Sequence, residues 1–510
     1  MSDVEKATTT GRDQWGSKLG FLLAAMGSAI GLGNIWRYPY VVYENGGGAF
    51  LIPYFVAIAT AALPILIMEY TLGHRFRSGA PHAFREMRRG WEWLGWWQVL
   101  VAFLISTYYV VILGWCLAYC VYSFGLQWGD DTAGFFVGDF LGTSAGGDPA
   151  GFWDVGGLRW NVLVPVAIAW VMVYAILRRG VARGIEVTAK VLMPLLVVLL
   201  LALVVRGVTL DGATEGLNVL FTPDFGALGD AGVWIAAYGQ VFFSMSIAFS
   251  IMIAYASYLP RRTDLTNSAF VVGLSNASFE FLAAIGVFAV LGFLAVATQS
   301  AVTEVAGTGG VGLAFIAFPQ IINTLPGLNS LFGVVFFGAL FLAGVTSAVS
   351  IMEPGIAAVR EKFHLRRTPA VNWICGAAAL VSLLYVTQGG LFYLDTADRF
   401  LNNFGLVTCG LAMVVLVAWV AKELDTLRDH ANAVSYIQLG AWWKYSLMYV
   451  TPLLLGTMTI YNLWTEVTTP YSDYPWSGLV VVGWGVVALT LMGAITLHQV
   501  RKSHEMRLDG

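Results

Sequence analysis

The sequence predicts an all-α integral membrane fold with twelve transmembrane helices. Three observations carry that expectation. The chain is 58% hydrophobic and only 12% charged over 510 residues, where a soluble chain is about a quarter charged. It holds twelve mostly apolar stretches long enough to span a bilayer core, which takes about 20 residues. Its basic residues also fall on one side of the resulting topology.

The stretches run 18–42, 49–74, 94–125, 160–178, 186–206, 232–257, 268–297, 330–359, 370–387, 393–421, 443–464 and 477–499. Several exceed the minimum, so tilting or kinking is expected. Pro64, Pro165, Pro194, Pro354 and Pro452 fall in or near them, which lipid-buried helices tolerate when neighbours satisfy the freed carbonyls. With the N-terminus placed in the cytoplasm, 24 of the 28 Lys and Arg residues lie inside. Arg37, Arg159, Arg206 and Arg399 are the four that do not. The outside loops carry acidic residues instead, Asp130, Asp131, Asp139, Asp148 and Asp154 among them. A wrong helix count would scramble this asymmetry, so both termini are expected in the cytoplasm.

Two outside loops are long. Residues 126–159 are rich in Gly and Asp and are expected to be irregular. Residues 298–329 contain an apolar segment, 311–325, that is too short to span and is expected to fold back as a lid. No cytoplasmic segment is long enough for a second, soluble domain, and no cleavable signal peptide is visible.

Other features exclude function classes. The net charge of -3 is small and spread out, which argues against a nucleic-acid partner. Cys116, Cys120, Cys375 and Cys409 lie in apolar runs without metal-ligand spacing and read as ordinary helix residues. The match to GxSxG at Gly142–Gly146 lacks a strand–helix context, and the match to GxGxxG at Gly307–Gly312 lies in an outside loop. Asn276-Ala277-Ser278 is a sequon inside a span. No zinc motif or nucleophile–base pair supports an intramembrane enzyme, so no enzymatic activity is expected.

The polar content of the spans is where chemistry could sit. Residues 27–34 read Gly-Ser-Ala-Ile-Gly-Leu-Gly-Asn, with Arg37 close behind. Three glycines in seven positions cost roughly 1 kcal/mol each against alanine in a helix interior. Close packing would account for Gly27 and Gly31, which make a GxxxG spacing, but not for Gly33, Asn34 and Arg37. A break at membrane depth is tolerated where it is buried in protein or lines a cavity, and there it bares backbone groups to a ligand. The sixth stretch has a second polar interruption, Gln240, Ser244, Ser246 and Ser250, five helices after the first. Paired interruptions in corresponding halves point to a transport site. Glu69, Asn276, Glu280, Thr346, Ser347, Glu353 and Asp398 also lie in or near spans, where a carboxylate needs a partner or a proton.

These residues carry a resemblance. Trp15 through Phe50, with Gly-Leu-Gly-Asn-Ile-Trp-Arg-Tyr-Pro at 31–39 and Glu-Asn-Gly-Gly-Gly-Ala-Phe at 44–50, resembles the first helix of the neurotransmitter:sodium symporter family. Similar stretches recur at Gly180–Pro194, Gly232–Tyr258 and Ala343–Pro354, so the resemblance covers residues 12–465. The branch it resembles is that of the prokaryotic amino-acid transporters, like the bacterial leucine transporter. The resemblance implies an inverted five-helix repeat with helices one and six broken. The first repeat would be 18–206 and the second 232–421, followed by helices eleven and twelve in 443–499, with cytoplasmic tails 1–17 and 500–510.

The resemblance also implies two Na+ sites. One would use the Ala29 carbonyl, Asn34, Ser244, Asn276 and the substrate's own carboxylate. The other would use the carbonyls of Gly27, Ile30 and Ala343 with the hydroxyls of Thr346 and Ser347. Substrate would lie against the Leu32 and Gly33 amides, the Tyr109 hydroxyl, the Ser246 carbonyl and Ser347. Ile105, Phe243, Phe249 and Ile351 would line its side-chain pocket. An outer gate would pair Arg37 with Asp398 above Tyr109 and Phe243, near Gln240. An inner gate would pair Arg12 with Glu361, flanked by Trp15 and Tyr258. Glu280 would replace chloride and carry a proton on the return step. At the sixth-helix break the family usually reads Ser-Leu-Gly-x-Gly, and this chain reads Ser246-Ile247-Ala248-Phe249-Ser250. Ala and Ser resist positive φ, so the sequence leaves open how far the helix unwinds there and how deep the pocket is.

The function implied is sodium-coupled import of a small neutral, hydrophobic or aromatic L-amino acid by alternating access, without chloride. The alternatives are a sodium-dependent amine carrier and a non-transporting amino-acid sensor on the same fold. The expected setting is the plasma (inner) membrane of a prokaryote, with the protein a monomer or a loose homodimer in the lipid bilayer.

Overall fold

The computed structural model describes residues 13–143, 147–300, 302 and 310–500. Arg12, Ser144–Gly146 and Gly307–Gly309 lie outside the described residues, so the proposed inner-gate arginine and parts of both discarded motifs are not placed. Among the described residues the fold is all helix, with two isolated β-bridges and no strand.

Among the described residues, nine helices are long and apolar enough to cross a membrane. In chain order, with the shorter helices that matter for the site, the elements are α1 (Lys18–Ala29), α2 (Leu32–Glu44), α3 (Gly48–Phe76), α4 (Ala80–Met87), α5 (Arg89–Tyr122), α6 (Trp160–Arg178), α7 (Val181–Val208), α8 (Ala231–Ser244) and α9 (Ile251–Ser257). There follow α10 (Leu265–Thr298), α11 (Gly310–Thr324), α12 (Asn329–Phe363), α13 (Arg367–Val386), α14 (Gly390–Ala421), α15 (Leu424–Val434), α16 (Thr451–Thr468) and α17 (Trp476–Gln499).

Three expected spans depart from a simple helix. The first is α1 and α2, bent by 50° at Ile30–Gly31, and as one span it raises the count to ten. The sixth is split into α8 and α9, neither long enough alone. The eleventh is α16, in which threonines, Asn462 and Glu466 dilute the apolar run. Pro64 and Pro452 each follow a wide five-residue π turn, Ile58–Ala62 and Ser446–Val450. A wide turn is one way to absorb the amide that proline lacks.

Burial separates centre from rim. The apolar window of α5 is 83% buried and that of α12 is 72% buried, so these two form the axis of the bundle. The windows of α7 and α17 are 33% and 28% buried. Their outer faces show Val191, Val198, Val205, Val480 and Leu489 to the surroundings, as lipid-facing helices do.

The described residues of the two long loops hold more helix than their composition suggested. Within 126–159, residues Thr132–Phe140 wind into helical turns, started by Asp131 accepting the Gly134 amide at 2.8 Å. Phe136 and Phe140, one turn apart, bury against Tyr119. The apolar segment 311–325 forms α11, and its Phe315 stacks on Phe136 and meets Trp36 and Trp115. Aromatic packing therefore overrides the Gly and Asp content of the loop.

Candidate functional site

The site is where the two breaks meet. α1 ends at Ala29, and Ile30 and Gly31 leave helical geometry before α2 begins. Asn34 closes the gap by accepting the Gly31 amide at 2.9 Å. Six residues, 245–250, separate α8 from α9. Ser246, Ala248 and Ser250 sit at φ 53, 64 and 65, at a cost of about 1–2 kcal/mol each for residues with a Cβ. The helix therefore opens over these six residues without the glycines usual in the family. The reason is tertiary. Glu69 on α3 accepts the freed Ala248 amide at 2.9 Å, and Ser246 donates to the Ser28 carbonyl at 3.0 Å.

Beside this junction lies a cluster of hard oxygen donors. The Ser347 hydroxyl on α12 reaches the carbonyls of Gly27, Ser28 and Ile30 at 3.0, 3.3 and 3.4 Å. Thr346 turns to the Ala343 carbonyl at 2.9 Å. Gly27 allows this approach, since a Cβ there would come within 3.0 Å of Thr346. Such neutral oxygens suit a hard monovalent cation. A second cluster joins Asn34, which donates to Asn276 at 2.8 Å, to Ser244, which Asn276 reaches at 3.2 Å. Glu280, one turn along α10, is fully buried. It accepts from Gln240 at 2.7 Å and from the Tyr54 hydroxyl, and Ser244 is also within reach.

The expected pocket residues also converge. The Leu32 amide donates to the Tyr109 hydroxyl at 3.3 Å, and Tyr109 lies in hydrogen-bond reach of Ser347. A side chain at Gly31 would fall 3.0 Å from both hydroxyls. Phe243 packs over Gly33 and lies 6.5 Å from the Phe249 ring. Ile105, Phe249 and Ile351 are buried around them.

At the outer gate the contacts differ from the pairing read in the sequence, whereas the inner pairing involves Arg12, which lies outside the described residues. Arg37 has Asp398 as its leading charge neighbour, but the guanidinium lies over the Phe243 ring, 5.0 Å from its centre. Asp398 is instead bonded to Asn402 at 2.9 Å and to Tyr108. Gln240 is turned to Glu280. On the inner side, Glu361 accepts the Gly79 amide at 3.0 Å. Trp15 donates to the Tyr255 carbonyl at 2.9 Å, and Tyr258 donates to Glu353 at 2.8 Å.

A buried ion network missed in the sequence occupies this inner face. Arg367 pairs with Glu353 at 2.6 Å and with Asp13 at 2.8 Å, and Arg360 also holds Asp13. Lys362 pairs with buried Glu92 at 2.8 Å. The available signal was Glu353 itself, an intramembrane carboxylate followed closely by four basic residues.

Comparison with known proteins decides the family. The profile of the sodium:neurotransmitter symporter family matches residues 12–133 and 127–505. The chain belongs to that family. It is 39% identical to an uncharacterized sodium-dependent transporter of Methanocaldococcus jannaschii, over 96% of this chain and 98% of that one. It is 30% identical to the human sodium- and chloride-dependent GABA transporter 2, over 97% and 87% of the two chains. The crystal structure of MhsT in complex with L-phenylalanine superposes with a TM-score of 0.74 at 33% identity, covering 88% of this chain and 99% of that one. This family member is therefore a sodium-dependent, multi-pass membrane transporter and not an enzyme.

Proposed function

We propose that the protein is a sodium-coupled symporter that imports a small neutral, hydrophobic or aromatic L-amino acid by alternating access. The observation that carries this reading is the junction of two broken helices at Ser28 and Ser246, walled by Tyr109 and Ser347. The backbone amides of Leu32 and Gly33, at the start of α2 where the helix dipole favours an anion, hold the substrate carboxylate. The apolar wall of Ile105, Phe243, Phe249 and Ile351 takes the side chain, and the Ser246 carbonyl takes the ammonium. The phenylalanine bound by MhsT supports the same class.

Two Na+ ions complete the proposal. The first binds the Ala29 carbonyl, Asn34, Ser244, Asn276 and the substrate carboxylate, which couples substrate to ion. The second binds the carbonyls of Gly27, Ile30 and Ala343 with Thr346 and Ser347. An amine carrier would need a carboxylate facing the ammonium, and Gly31 stands at that position with little room for one. Chloride is not required, because Glu280 supplies a fixed negative charge and takes up a proton when the site empties. Loop charges support twelve crossings with both termini in the cytoplasm, and the family resemblance supports two inverted repeats and a prokaryotic cell. Arg37–Asp398 outside and Glu361 with Arg12 inside close in turn, and the protein works as a monomer or a loose homodimer.

The test is a thermal-shift screen of the twenty amino acids in sodium and in potassium. Stabilisation by hydrophobic or aromatic amino acids in sodium alone is expected. Stabilisation by tyramine or dopamine, with none by any amino acid, contradicts the proposal.

A further inference from the structure

Glu186, in the first full turns of α7, takes no part in the site above. Its carboxylate accepts from the Gly16 amide at 2.6 Å and from the Ser17 hydroxyl at 2.8 Å. These two residues lead into α1, and Ser17 caps that helix by accepting the Gly20 amide at 3.0 Å. Glu186 is 2% exposed. Gly20 makes the approach possible, since a Cβ there would fall 2.3 Å from the Glu186 side chain. The start of α1 is thus pinned to α7 by a carboxylate aimed at free helix-terminal donors.

One of the two carboxylate oxygens has a competing partner. Lys190, one turn along α7 and 40% exposed, donates to the Oε1 atom that also accepts from Ser17, at 2.7 Å. When Gly16 and Ser17 leave, Glu186 keeps a cation on its own helix. Detachment therefore strands no buried charge, which is the costly event in breaking such contacts. Space for movement lies alongside. A cavity of about 520 Å³ is lined by Leu23 and Met26 of α1, by Met193 and Val197 of α7, and by Phe279 of α10.

We infer that Glu186 is a positioning residue that sets the balance between inner-closed and inner-open forms by holding or releasing the foot of α1. The inference rests on the transport reading, which gives α1 a reason to move: it joins the break to the segment holding Trp15, which closes on Tyr255 and Tyr258. Lys190 is the counterweight that makes the hold reversible.

The test uses the full chain in detergent, with its four cysteines replaced by alanine and Ser257→Cys as reporter. Ser257 is buried at the inner end of α9. The rate of its labelling by an impermeant maleimide is read in sodium and in potassium. Sodium is expected to slow labelling of the parent. Glu186→Gln is expected to raise the rate in sodium about tenfold, the weight of one hydrogen bond to a charged group. Lys190→Met removes the competitor and is expected to lower it below the parent. General loosening of the fold would move both variants the same way. A parent blind to sodium overturns the transport reading and this inference with it. A sodium-sensitive parent with an unchanged Glu186→Gln, or with both variants shifted in one direction, overturns the role of Glu186 alone. Should Glu186→Gln not fold, the direction of Lys190→Met decides.

Discussion

The amide of Ala248 donates to the Glu69 carboxylate at 2.9 Å from a left-handed conformation, φ 64. One buried acid on α3 thus supports the opened segment that carries Ser246 and Phe249 of the proposed pocket. Removing the Cβ relieves the conformation, so Ala248→Gly is expected to stabilise the protein by about 1 kcal/mol. Glu69→Ala strips the acceptor and is expected to lower the melting temperature and abolish uptake. Thermal unfolding in detergent checks both. An Ala248→Gly variant less stable than the parent contradicts the account of the break.

The oxygen cluster around Ser347 gives the second prediction. Thr346→Ala with Ser347→Ala removes both side-chain donors of the proposed second sodium site and is expected to abolish uptake while leaving the fold intact. Asn34→Asp places a negative charge beside the substrate carboxylate in a dry site, where repulsion is strong, and is expected to abolish uptake as well. Sodium-22 binding and uptake are the readouts. Unchanged sodium binding in the double variant removes the assignment.

Glu280 carries the third. Glu280→Ser is expected to make transport depend on external chloride and to lose its dependence on internal pH. Uptake in chloride against gluconate reads the first effect, and an internal pH series reads the second. A parent that needs chloride, as the human GABA transporter 2 does by its name, contradicts this role.

The inner-face network predicts non-additivity. Arg367→Met leaves Glu353 buried without its cation and is expected to destabilise by about 3–5 kcal/mol, whereas adding Glu353→Met recovers most of that loss. A double-mutant cycle on thermal stability reads the coupling. Additive losses mean that the pair is not coupled.

Acid should loosen helix α15. Burial first, then the nearby His74 and Arg75 charges, lower the His430 imidazole from its ordinary 6.5 to about 4. Its ring nitrogen lies 2.9 Å from His74. A histidine depressed in the folded state contributes stability that is complete above pH 6.5 and is lost as pH falls toward 4. His430→Gln is expected to flatten stability across that window. A parent with no loss of stability between those pH values contradicts the assignment.

Much of this architecture was legible in the chain because its signals are local. Apolar length gave twelve expected spans, nine of which are long apolar helices among the described residues, and the Gly27–Asn34 run marked the bend at Ile30–Gly31. The partners of polar groups were less legible, because they are tertiary. Nothing near Ala248 announces Glu69, 179 residues away. The basic run 360–367 does not say which of its members will meet Glu353 or Asp13. Likewise Phe136 and Phe315, far apart in sequence, turn a Gly-rich loop into an aromatic cover.

Uptake of L-phenylalanine into proteoliposomes of the purified chain tests the central claim most directly. Accumulation is expected with an inward sodium gradient and not with potassium or choline in its place, with or without chloride. Equal uptake in potassium, or specific sodium-dependent binding of amino acids with no accumulation, contradicts the coupled-symport account.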